Sequence, residues 1–118
     1  MIRLPDPQSS MELSVHDVAK WIHLPEDERP RVIDCRERDE VEHCRIEGSE
    51  WLPLGDFPHS AERFAGNVER AVVVYCHHGM RSMHAVAFLR ARGIEQSFSM
   101  AGGIEVWSRQ VDEAVERY

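Results

Sequence analysis

The plainest pattern in the chain is the unbroken apolar run Ala71-Val72-Val73-Val74-Tyr75, largely β-branched, which ends on Cys76. A run of strand length with no polar alternation predicts a strand buried on both faces. Beyond His77-His78-Gly79-Met80-Arg81 the period changes, and Ser82 to Arg92 reads as a helix closed by Gly93. With Met83, Ala85, Val86, Ala87, Phe88, Leu89 and Ala91 this helix is apolar nearly all round, so it is expected to be deeply packed. Upstream, Ser14 supplies an N-cap with Asp17 three residues on, and Val15, Val18, Ala19 and Ile22 recur at helical spacing, which predicts a helix ending before Pro25.

Between these segments the pattern is shorter. Leu24 to Pro30 is a charged turn, and Val32-Ile33 begins a strand that Asp34 and Arg36 terminate. Arg38 to Cys44 is a short helix, Glu50-Trp51-Leu52 a second short strand ended by Pro53, and Asp56 to Phe64 a helical segment interrupted by Pro58. Gly66-Asn67 turns the chain toward the apolar run. Ser97 to Met100 is one more strand, and Ile104, Trp107 and Val111 mark a last helix. Strands alternating with helices predict an α/β fold, a central mainly parallel sheet covered by helices on both faces. Residues 1–10 read as an irregular lead-in and 11–118 as a single domain. Ligands in such folds bind at the carboxyl ends of strands, where Asp34 to Arg36, Cys76 to Arg81 and Ala101 to Gly103 all fall.

Composition narrows the function classes. A formal net charge of −7 argues against a general nucleic-acid or anionic-membrane binder, which needs a dense excess of Lys and Arg. An anionic substrate then needs a local positive site, which His77, His78 and Arg81 supply. The three cysteines, Cys35, Cys44 and Cys76, are odd in number and scattered, a poor disulfide framework that favours a reducing compartment. The N-terminal residues lack a signal-peptide core and no apolar run approaches about 20 residues, so a cytoplasmic, soluble chain is expected.

The candidate chemistry is at Cys76. Between a strand end and a helix start, free backbone N–H groups collect and favour an anion, here a thiolate. Moving a thiol from a pKa of about 8.5 to about 6.5 takes roughly 2.7 kcal/mol, and a helix terminus gives only about 0.3 to 1. Loop amides around the sulfur, with Arg81 and protonated His77 or His78 nearby, are needed for the rest. Gly79 is expected to take a backbone conformation that turns the amides inward, and Ser82 to act as an N-cap, with a hydroxyl contact to sulfur as the lesser option. A zinc site at His77 and His78 is disfavoured because adjacent residues do not readily converge on one tetrahedral ion, and no metal or cofactor is expected. The histidines are read as shaping the pocket mouth and adding positive potential near pH 6 to about 7.

The pattern Cys76-x-x-Gly79-x-Arg81-Ser82 resembles the active-site loop of the rhodanese family, the single-domain thiosulfate sulfurtransferases and their relatives. Val32-Ile33-Asp34-Cys35-Arg36-Glu37 is similar to the family's strand ending in Asp-x-Arg-Glu, Glu42 to Ser49 to its Gly-His-Ile-x-Gly-Ala segment, with Leu52-Pro53-Leu54 after it. Met100 to Ile104 with Trp107 is similar to its closing Gly-Gly helix, so the likeness covers nearly the whole chain. Cys44-Arg45 stands where the family commonly has Gly-His, and Ser49 replaces its alanine, so no role for that histidine is carried over. Val111 to Tyr118 also resembles tails of rhodanese domains that work beside sulfur-carrier activating enzymes.

The resemblance implies the rhodanese-like three-layer fold, with Cys76 as a nucleophile that carries a persulfide sulfur cradled by loop amides. Sulfane sulfur would pass from thiosulfate or a persulfide donor to cyanide, a thiol or an acceptor protein by ping-pong covalent catalysis. Arg81 would hold the sulfonate end of the donor, with His77, His78, Gly79, Met80 and Ser82 forming the loop. Asp34 and Arg36 are read as supports that fix the loop by hydrogen bonds, or as a structural ion pair. Cys35 and Cys44 are read as packing or inert thiols, since a resolving role needs a proximity to Cys76 that sequence does not give. Two rivals stand beside this reading. One is a persulfide carrier or docking module without turnover. The other is a cysteine phosphatase or arsenate reductase, disfavoured because a Cys-x5-Arg loop would place arginine at position 82, where serine stands.

Overall fold

The computed structural model describes residues 10–60, 62–65 and 70–118. Residues 1–9 of the lead-in expected over 1–10, and the turn expected at Gly66-Asn67, lie outside the described residues. Strands β1 (Glu12–Leu13), β2 (Arg31–Asp34), β3 (Glu50–Trp51), β4 (Val72–Tyr75) and β5 (Ser97–Met100) form one sheet in the order β1-β5-β4-β2-β3. Every pairing is parallel, with Asp34 opposite Tyr75 at the end of the β2–β4 register. The helices are α1 (Val15–Ile22), α2 (Arg38–His43), α3 (Phe57–Ser60), α4 (Glu62–Ala65), α5 (Met80–Ala91) and α6 (Gly103–Gln110), with a 3-10 turn at Leu54–Asp56.

The two-residue period of the strands divides the core. Val73 and Tyr75 of β4 pack with Val18, Trp21, Ile104 and Trp107 under α1 and α6. Val72, Val74 and Cys76 pack with Ile33, Cys35, Ala85, Val86 and Leu89 under α5, with Phe57 and Phe64. β4 is buried along its whole length, as an unbroken apolar run in a parallel sheet must be.

Four local expectations change. β1 goes unpredicted because two residues carry no periodicity; it forms by adding to an existing edge, where Ser99 N–H donates to Met11 O at 2.7 Å and Ala101 N–H to Leu13 O at 2.8 Å. Pro58 does not interrupt a helix; it lies in the first turn of α3, where its missing N–H has no partner to lose. α5 begins at Met80 rather than Ser82, because Gly79 adopts a left-handed conformation (φ 103°) and starts the helix at once. Nor is α5 packed all round: Ser82, Ala85, Val86 and Leu89 are buried, while Met80, His84, Ala87 and Ala91 face solvent. Alanine is small enough to stand on either side of a helix, so the apolar count overstated its burial.

Candidate active site

Cys76 follows the last residue of β4, and its sulfur is bounded by the turn into α5. Gly79 N–H donates to Cys76 Sγ at 3.1 Å and Ser82 N–H at 3.4 Å, with Ser82 Oγ 3.5 Å away. On its other flank the Cys35 thiol donates a hydrogen bond, which, with the hydroxyl and amide of Ser82 and the amide of Gly79, overcomes burial and lowers the Cys76 pKa to about 4. The Cys35 thiol is correspondingly pushed far up by that same hydrogen bond and by burial. The amides that contact sulfur are therefore those of Gly79 and Ser82, and a neighbouring thiol is the largest single contributor.

Ser82 is not the N-cap. It sits inside α5, fully buried, its hydroxyl 3.1 Å from Gly79 O and 2.7 Å from Ser99 Oγ, with one proton for Gly79 O or the Cys76 sulfur. This ties the loop to β5. A second tie comes from α6, whose Ile104 N–H donates to Cys76 O at 2.9 Å and Glu105 N–H to His77 O at 3.1 Å. Gly103 makes the approach possible: at φ 64°, a Cβ there would lie 2.4 Å from His77 O and 2.5 Å from Cys76 O. Gly103→Ala is expected to cost about 2 to 3 kcal/mol, because neither backbone can yield, and thermal unfolding will register it as a lowered Tm.

Arg81 is half-exposed and engaged. Its Nη1 and Nη2 donate to Glu40 Oε1 and Oε2 at 2.6 and 2.8 Å, a bidentate pair that holds the Glu40 carboxyl down at about 2. Glu40 also accepts from the Tyr118 hydroxyl at 2.7 Å, and that hydroxyl in turn accepts from Arg36 Nη1 at 2.8 Å. An incoming anion must share Arg81 with Glu40.

Arg36 is fully buried. Its Nε and Nη2 donate to Asp34 Oδ1 and Oδ2 at 2.8 and 2.6 Å, and Nη2 also donates to Cys44 O at 2.6 Å. Tyr75 Oη donates to Asp34 Oδ2 at 2.9 Å. These two residues do not bond the Cys76 loop, as one reading had them. They face the α1/α6 side of the sheet and reach the loop through Tyr118, Glu40 and Arg81, so the structural ion pair describes them better.

His77 is stacked between the rings of His78 and Tyr118, 3.9 Å from each centroid. Burial first, and then the neighbouring His78, lower its pKa, which works against the positive potential expected of it. His78 and Met80 are exposed at the mouth, Met80 by 74%.

Glu40 and Tyr118 carry no sequence signal of their own, since each meets the site only through long-range contacts. Cys35 had a signal in hindsight: it follows Asp34 as Cys76 follows Tyr75, and Asp34 and Tyr75 are opposite in the sheet.

The profile of the Rhodanese-like domain family matches residues 14–110. The chain belongs to that family. It is 29% identical over 100 residues to the thiosulfate sulfurtransferase GlpE of Pseudoalteromonas translucida, a match covering 85% of this chain and 93% of that one. It is 32% identical over 106 residues to the tRNA uridine(34) hydroxylase of Caulobacter vibrioides, covering 80% of this chain but only 34% of that protein. The structure superposes on the human single-domain sulfurtransferase TSTD1 with a TM-score of 0.74 at 20% identity, covering 86% of this chain and 97% of the other. The last likeness concerns the fold alone, and it agrees with the three-layer α/β architecture of rhodanese-like domains.

The acidity of Cys76 is directly measurable. The thiolate absorbance near about 240 nm that Cys76→Ser removes should persist from about pH 8 to about pH 6, where an ordinary thiol would have lost nearly all of it. A lowered pKa keeps the charged form as protons are added, so this absorbance should fade only as pH approaches about 4.

Proposed function

We propose that this rhodanese-like domain is a sulfurtransferase that moves sulfane sulfur through Cys76. The observation that carries the proposal is the Cys76 sulfur held by the amides of Gly79 and Ser82 at 3.1 and 3.4 Å, an arrangement that favours its thiolate. The Cys76 thiolate attacks the outer sulfur of thiosulfate, the S–S bond breaks, and sulfite leaves with the electron pair. The loop amides then hold the persulfide until an acceptor, cyanide or a thiol, attacks the outer sulfur and Cys76 departs as thiolate. Arg81 steadies the sulfonate, partly displaced from Glu40 as the donor arrives.

A phosphate ester suits this site less well. Two amides and one hydroxyl surround the sulfur, and Arg81 is drawn to Glu40, which leaves few donors for three phosphate oxygens. The three free thiols support a reducing compartment, small sulfur anions are the proposed donors, and a protein acceptor is compatible with the exposed rim at His78 and Met80. Neither nucleic acid nor membrane is proposed as a partner.

Initial rates with thiosulfate and cyanide varied together test this reading. Parallel double-reciprocal lines are expected from a covalent sulfur intermediate; intersecting lines, or no turnover, would refute it.

A further inference from the structure

Cys35 is a buried thiol for which sulfur transfer at Cys76 requires only a hydrogen bond. Its position suits more than that. β2 and β4 run parallel with Asp34 opposite Tyr75, and Cys35 N–H donates to Tyr75 O at 3.1 Å, so the next residues, Cys35 and Cys76, continue side by side past the strand ends. Neighbouring strands are about 4.8 Å apart, within the roughly 4.4 to 6.8 Å Cα separation that a disulfide spans. Both side chains point to the α5 face and share one apolar cluster, while Asp34 and Tyr75 bond each other on the opposite face. Cys35 is 2% exposed and Cys76 1%, so no bulky external thiol competes easily for the same approach. Cys44 packs instead with the cluster under α1 and α6, its sulfur 3.9 Å from Arg36 Nη1.

We propose that Cys35 is a resolving thiol, a role that rests on the persulfide reading above: it attacks Sγ of persulfidated Cys76, closes a Cys35–Cys76 disulfide and expels the outer sulfur as hydrogen sulfide. The Cys35–Cys76 S–S bond forms and the bond from Cys76 Sγ to the outer sulfur breaks. The outer sulfur gains two electrons, the two cysteines lose one each, and the Cys35 proton leaves on the sulfide. Summed with the first step, thiosulfate and two thiols yield sulfite, hydrogen sulfide and one disulfide, with no further oxidant. The loop amides reach Cys76 Sγ from the turn into α5 and Cys35 lies beside it on the β2 side, so an outer sulfur held by those amides would depart away from the attacking thiol. The domain then has a thiosulfate-reducing activity of its own, reset by an external dithiol, whenever no acceptor captures the persulfide first.

The test treats the full chain and its Cys35→Ser and Cys44→Ser variants with thiosulfate alone, then measures intact mass and released sulfide. The native chain and Cys44→Ser should lose about 2 Da and release about one sulfide each, while Cys35→Ser, whose hydroxyl can still donate to the Cys76 sulfur, loads more slowly but keeps a gain of about 32 Da and releases none. A native chain that holds the added sulfur overturns the resolving role and leaves the persulfide reading intact. Retention of the sulfur by Cys44→Ser, with its loss from Cys35→Ser, overturns it in favour of Cys44. Unchanged mass in all three proteins refutes the role together with the reading beneath it.

Discussion

Cys76→Ser is expected to abolish thiosulfate:cyanide turnover, with a fall on the order of 10³-fold or more, while the fold persists. Serine keeps the volume and can accept the hydrogen bonds from Gly79 and Ser82, so the loop has no reason to rearrange. What disappears is an ionised nucleophile: a hydroxyl is not deprotonated by neighbours that bring a thiol to about 4. An unchanged Tm beside lost turnover would assign the effect to chemistry. Residual turnover within about tenfold of the native rate would place the nucleophile elsewhere.

Arg36→Met should act in the opposite way, on stability first, at a cost of about 3 to 5 kcal/mol. Arg36 is fully buried and Asp34 is 1% exposed, so removing the guanidinium strands a carboxylate away from water and frees Cys44 O and the Tyr118 hydroxyl of a donor. Denaturant unfolding would show it as a lowered midpoint. The paired change Asp34→Leu with Arg36→Met should recover much of the loss, because the penalty belongs to the unpaired charge and not to the absence of an ion pair. Since Arg36 reaches Arg81 through Tyr118 and Glu40, thiosulfate binding should weaken as well, a rise in KM at temperatures where the variant remains folded.

The layered α/β plan was legible because short apolar runs mark β2 and β4, and the segments between strands, α1 above all, carry helical spacing. Cys76 was legible because composition and position agree: a valine run, a cysteine, then a glycine in a left-handed turn. Short-range patterns failed where a tertiary contact decides. Ser82 looks like a cap until Gly79 starts α5 ahead of it, and its hydroxyl turns to Ser99 across the sheet. Arg81 reads as a free cation until Glu40, 41 residues away in sequence, takes both its amino groups. His77 reads as a source of positive charge until Tyr118 and His78 enclose it. Cys35 reads as packing until the register sets it beside Cys76. In each case the deciding information is a contact made in the folded chain, which no local periodicity encodes.

The central claim is that Cys76 takes sulfur from its donor, and the most direct measurement is rapid-quench release of sulfite from thiosulfate with no acceptor present. A burst of about one sulfite per chain, absent from Cys76→Ser, is the predicted result, and it holds whether the persulfide persists or is resolved. No burst from the native chain, or an equal burst from Cys76→Ser, would contradict the account.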